Sequence, residues 1–115
     1  MIDISNKEEI DIRDKRVSVL GLGLSGTEAA KLANHLGARV FASDSSAGKS
    51  VCSHSMELMH SHHIASETGI HSDKIYDADL WVISPGISKN SDIVKKAYQI
   101  GIPVVSEIEF ASWYT

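Results

Sequence analysis

Residues 16–27 read Arg16-Val17-Ser18-Val19-Leu20-Gly21-Leu22-Gly23-Leu24-Ser25-Gly26-Thr27. The apolar run at Val17 to Leu20 predicts a first strand, Arg16 to Leu20. Beyond the glycines, Ala29, Leu32, Ala33 and Leu36 recur at spacings of three and four, which predicts a helix from about Gly26 to Leu36 with Gly37 as its left-handed cap. A G-x-G-x-x-G loop says little by itself and can merely join two elements. A strand feeding the loop and a helix leaving it is the setting that phosphate binding requires. Gly21 supplies the tight turn, Gly23 lets backbone amides approach an anion, and Gly26 lets the helix pack close to the strand. Amides at a helix start carry partial positive charge, so a diphosphate is the expected ligand.

Outward from the loop, strands and helices alternate. Residues 1–15 mix apolar and charged positions and read as a lead-in segment. A second strand, Arg39 to Ser43, ends at Asp44, and Ser45-Ser46-Ala47-Gly48 is turn chemistry. Ser50 can cap a helix over about Val51 to Ser61. A short third strand is expected at Ile64 to Ser66, with a turn at Glu67-Thr68-Gly69. Leu80-Trp81-Val82-Ile83-Ser84 is the near-continuous apolar run of a strand buried on both faces, and it stops at Ser84-Pro85-Gly86-Ile87. Asn90 or Ser91 can cap a helix carrying Ile93, Val94, Ala97 and Ile100, which Gly101 ends. Pro103 to Ser106 reads as a fifth strand, and Glu107 to Tyr114 as a helix with acid in its first turn.

This alternation predicts an α/β fold: one domain over residues 1–115, a Rossmann-like doubly wound parallel five-stranded sheet of order 3-2-1-4-5, with helices on both faces. In that order the chain reverses between strands one and four, where ligands bind in such sheets. The Gly21 to Gly26 loop then faces Ser84, Pro85 and Gly86 across a crevice, with Asp44 on the other flank.

The composition narrows the function classes. Hydrophobic residues make up 43% and charged residues 23% of 115 positions, and no apolar stretch reaches the roughly 18 residues of a membrane span. The start carries no basic region or long apolar segment, so a soluble, cytoplasmic chain without a membrane partner is expected. A formal net charge of -4 argues against a nucleic-acid partner, which needs a basic face. The length suits one domain and falls short of a two-domain nucleotide-dependent enzyme. The single cysteine, Cys52, is read as a packing residue. His54, His60, His62 and His63 cluster in sequence, but neighbouring His62 and His63 diverge, His54 and His60 are not four apart, and no carboxylate completes a ligand set. No metal site is expected. Gly48-Lys49-Ser50 imitates the end of a P-loop, yet its first glycine would fall on Ser43, followed by Asp44, whose charge opposes a triphosphate.

Taken together, Gly21-Leu22-Gly23-Leu24-Ser25-Gly26, Asp44-Ser45, Ser84-Pro85-Gly86-Ile87 and Gly101-Ile102-Pro103-Val104-Val105-Ser106-Glu107-Ile108-Glu109 resemble, in order and spacing, the N-terminal domain of the Mur ligases. The branch most similar is the one that adds D-glutamate to UDP-N-acetylmuramoyl-L-alanine in peptidoglycan synthesis. The resemblance implies a domain that binds the UDP moiety of that substrate. It places ATP and magnesium in the remaining ligase domains, so this chain would carry no catalytic residue and be inactive alone. It also implies that Gly23, Leu24, Ser25 and Gly26 hold the diphosphate, that Asp44 and Ser45, with Gly86 opposite, hold the uracil end, and that Ser84 and Pro85 belong to the same UDP site. The position two beyond the acid, which can be arginine in relatives, is Ser46. Physics alone leaves two other readings of the loop: an NAD(P)- or FAD-binding domain of an oxidoreductase, and a non-catalytic nucleotide-sensing module.

Overall fold

The structure, a computed structural model, describes residues 10–45, 57 and 59–114. The elements are β1 (Arg16–Leu20), α1 (Leu24–His35), β2 (Arg39–Asp44), β3 (Ala65–Thr68), a 3-10 turn (Asp73–Tyr76), β4 (Leu80–Ile83), α2 (Asp92–Gln99), β5 (Val104–Ser106) and α3 (Glu107–Ser112). The five strands form one sheet in the order β3-β2-β1-β4-β5, and every pairing is parallel. This is the order read from the alternation of elements.

The central strands are apolar because both faces are covered. Val17 and Val19 of β1 and Leu80 and Val82 of β4 pack with Ala29, Ala30, Ala33 and Phe110 on one side. Leu20, Trp81 and Ile83 pack with Ile75, Val94, Ala97 and Ile102 on the other. Fully burying a Val, Leu or Ile side chain contributes about 1.5–3 kcal/mol, so β1 and β4 are fixed at the middle of the sheet by their side chains. Polar groups in the second layer are satisfied: the Ile75 carbonyl accepts from the Ser18 hydroxyl at 3.0 Å and from the Trp81 indole N–H at 2.7 Å. At the amino ends of β1 and β4, Arg16 pairs with Asp79 at 3.2 Å and with Asp77.

Some boundaries depart from the sequence reading. The third strand runs from Ala65 through Thr68, so only Gly69, at φ 85°, belongs to the expected turn. Helix α1 begins at Leu24, two residues before the expected start, and α3 ends at Ser112. Strands four and five are each one residue shorter than expected, at Leu80–Ile83 and Val104–Ser106. Gly37 and Gly101 are left-handed, as expected of helix ends. Ser46, the Gly48-Lys49-Ser50 stretch, Cys52, His54 and the start of the second predicted helix lie outside the described residues; Met59 to Ser61 are helical. No helix among the described residues is long and apolar enough to cross a membrane.

Candidate functional site

The carboxyl ends of β1, β2 and β4 lie side by side in the sheet, and their loops meet around the amino terminus of α1. Gly23 is the N-cap of that helix, and no side chain caps it. Both the Thr27 N–H and the Thr27 hydroxyl donate to the Gly23 carbonyl, at 3.0 and 2.8 Å. Because this is the first helical bond, the amides of Leu24, Ser25 and Gly26 are helix-start donors without a partner inside the helix. The first turn of α1 contains no acid. The starts of α2 and α3 differ: α2 starts with Asp92, and α3 carries Glu107 and Glu109, with the Ser106 hydroxyl accepting from the Glu109 N–H. Among the helices whose starts are described, α1 is therefore the one whose own sequence leaves its positive end open to an outside anion.

The three glycines do three separate jobs. Gly21 has φ +97°, and a Cβ there would lie 2.5 Å from the Ser84 Cβ, so the first and fourth strand loops touch at a point only glycine allows. A Cβ on Gly26 would lie 1.7 Å from the Gly21 carbonyl oxygen, which locks the helix against the loop. Around Gly23 there is nothing within 4 Å. That opening is where an anion can reach the amides.

Asp44 ties the second loop to the first. Its Oδ2 accepts from the Leu22 N–H at 2.7 Å, and the Gly21 N–H donates to the neighbouring Ser43 carbonyl at 2.8 Å. The sequence reading gave Asp44 to the ligand; it also holds the glycine loop in place. Across the crevice the Ser84 N–H donates to the Leu20 carbonyl, and the Ser84 hydroxyl accepts from the Gly86 N–H at 3.3 Å. Leu24, Ser25, Ser45, Pro85 and Gly86 are exposed at the loop tips, and Gly26 is buried. All nine sequence-chosen residues thus lie on the three converging loops or the first turn of α1.

Sequence reasoning missed the group behind Asp44. The buried Ser43 hydroxyl lies 2.7 Å from both Glu67 Oε2 and His71 Nδ1, and the Ser72 N–H donates to the same Glu67 oxygen at 2.7 Å. A hydroxyl has one proton, so if Ser43 donates to the Glu67 carboxylate it must accept from a protonated Nδ1. Burial alone would push Glu67 up, but hydrogen bonds from Ser72 and Ser43 bring it below its ordinary value. Burial lowers His71, against the opposing pull of Asp44 and Glu67. Both folded-state values lie below the unfolded ones. Their stabilisation is thus present at neutral pH and lost on acidification, first below about 6.5 through His71 and then below about 4.3 through Glu67. Thermal melts from pH 7 to 3 should show the midpoint falling, and Glu67→Gln should flatten the lower part of that fall. Parallel curves would remove Glu67 as a source.

Among the described residues no three His, Cys, Asp or Glu side chains gather into a metal site. His62 instead lines a shallow groove beside His35, Glu28 and Lys31.

The family model described as the MurD N-terminal domain matches residues 16–93. The UDP-N-acetylmuramoylalanine--D-glutamate ligase of Bacteroides thetaiotaomicron is 45% identical over 102 residues, covering 88% of this chain and 22% of that protein. The ligase of the same name from Chloroherpeton thalassium is 38% identical over 104 residues, covering 90% and 22%. Among solved structures, a murein peptide ligase from Psychrobacter arcticus superposes with TM-score 0.73 at 20% identity, over 88% of this chain and 21% of that one. The last likeness concerns the fold alone. The chain spans about a fifth of the length of the relatives it matches.

Proposed function

Because the chain belongs to the MurD N-terminal domain family, we propose that it holds the UDP portion of UDP-N-acetylmuramoyl-L-alanine for the ATP-dependent ligase that adds D-glutamate. The observation that carries this reading is the open start of α1, uncapped, free of acid in its own first turn and unobstructed at Gly23. Gly23, Leu24, Ser25 and Gly26 supply amides and one hydroxyl to the diphosphate. Asp44 and Ser45, with Ser84, Pro85 and Gly86 opposite, flank the uridine. The relatives are ligases of which this chain spans about a fifth, and ATP and magnesium are assigned to the remaining domains of the ligase. The chain's part is to bind and orient, and alone it is expected neither to hydrolyse ATP nor to form an amide bond.

Ser25 offers a direct test. It is the second residue of α1, and Gly23 is the cap, so the hydroxyl does not serve the helix start. Calorimetry on the isolated chain should show a UDP-sugar binding in the micromolar-to-millimolar range, about -4 to -8 kcal/mol. Ser25→Ala should weaken UDP about ten- to a hundredfold, the worth of a hydrogen bond to a charged group, and leave uridine unchanged. Tight NADH binding with none for UDP would instead favour an oxidoreductase domain. Equal UDP affinity in the parent and Ser25→Ala would remove the phosphate role of that hydroxyl.

A further inference from the structure

Glu107 opens α3, but its carboxyl turns toward α1. The residue is 6% exposed, and its Oε1 has no hydrogen-bond partner. A Cβ on Gly26 would stand 3.2 Å from that oxygen, so the carboxyl lies against the first turn of the helix proposed to receive the diphosphate. Together with Leu24, Ser25 and Ile108 it lines a groove of about 580 Å³ between α1 and α3. Burial pushes the Glu107 carboxyl above its ordinary range, and the nearby Ser25 hydroxyl draws it partly back.

A carboxylate and a diphosphate placed at one helix start compete for the same positive end and repel each other. The surroundings of Glu107 do little to relieve this. Helix α1 presents Ser25 and, one turn on, Glu28, which pairs with Lys31 at 3.5 Å. The glycine loop presents backbone, and the residue after β4 is Ser84. On α3 itself Glu109 is exposed and accepts from the Trp113 indole N–H. No cation faces the carboxyl among these groups.

We propose that Glu107 is a positioning residue for the phosphate site: its buried, unpartnered carboxyl, set against the first turn of α1, takes a proton from solvent when a diphosphate arrives and so ceases to oppose the ligand. The inference rests on the proposed UDP site. The anion raises the proton affinity of Glu107 further, so protons are taken up between the free and bound midpoints. Affinity falls as pH rises through that window, by up to tenfold per unit.

The test titrates the chain with UDP-N-acetylglucosamine, whose diphosphate charge is fixed, from pH 5 to 8.5 in buffers of differing ionisation enthalpy. The parent should take up protons on binding and weaken about threefold or more toward high pH. Glu107→Gln should lose that component and bind more tightly than the parent at pH 8. Uptake by His71 on the opposite flank would persist in the variant, so only the difference counts. Equal pH slopes in two binding proteins would overturn the role of Glu107 and leave the UDP site standing. No binding by either at any pH would overturn both. Should Glu107→Gln fail to fold, the carboxyl carbon signal of Glu107 in labelled parent decides the matter. A titration midpoint that rises with ligand supports the proposal, and an unmoved midpoint sinks it.

Discussion

Gly26→Ala is expected to lower the stability of this domain by about 3 kcal/mol or more, at or beyond the upper end of overpacking costs. The added methyl would stand 1.7 Å from the Gly21 carbonyl oxygen and 3.2 Å from Glu107 Oε1. The backbone neighbour does not yield cheaply. Gly21 is held at φ +97° with its N–H on the Ser43 carbonyl, and moving it would break the contact between the first and fourth strand loops. Gly23→Ala is the control, since its Cβ meets nothing within 4 Å and its φ of -71° suits any residue. It should fold with a melting midpoint near the parent's while hindering the approach of a phosphate. Chemical denaturation of the two variants checks the contrast. A Gly26→Ala protein as stable as Gly23→Ala would mean that α1 can slide away from the loop, and the close packing assigned to Gly26 would fall.

What the sequence made legible follows from which residues carry one job. Val17 to Leu20 and Leu80 to Ile83 are buried on both faces, so their apolar runs announced central parallel strands, and the glycines announced the turn between β1 and α1. β3 was cut short because it is an edge strand. Its Ser66 and Glu67 are polar, and Glu67 spends its side chain on Ser43 and Ser72, so four such residues show no strand pattern. The 3-10 turn at Asp73–Tyr76 is too short for any period to show. In the candidate site, Ser25 and Asp44 can be named as candidates from the sequence because loop and acid sit at recognised spacings. Glu107 was read as the acid that suits the start of its own helix, and nothing in a linear pattern says that its carboxyl packs against the start of another. Contacts between α1 and α3 form across the strands and crossovers that separate them in sequence, and only the folded chain contains them.

Asp44 has a structural part and is proposed to have a ligand-facing one, and two substitutions separate them. Its Oδ2 accepts from the Leu22 N–H, and Leu22 is 0% exposed, so water has little access to replace that bond. Asp44→Ala should therefore destabilise the fold by about 1–3 kcal/mol, the penalty of a buried donor left unpaired. It should also weaken UDP and uridine alike, by about ten- to a hundredfold, if the carboxylate accepts from the nucleoside. Asp44→Asn keeps an oxygen for the Leu22 N–H but removes the charge and puts donors where a second acceptor stood. Its melting midpoint should stay close to the parent's, while uridine binding still falls about tenfold. Melts followed by titration of both ligands into both variants give a clear division. Uridine binding at parental strength in Asp44→Asn would leave Asp44 as the clasp of the glycine loop and no more. Equal loss in Asn and Ala, with stability lost only in Ala, would show one carboxylate serving the loop with one oxygen and the nucleoside with its charge.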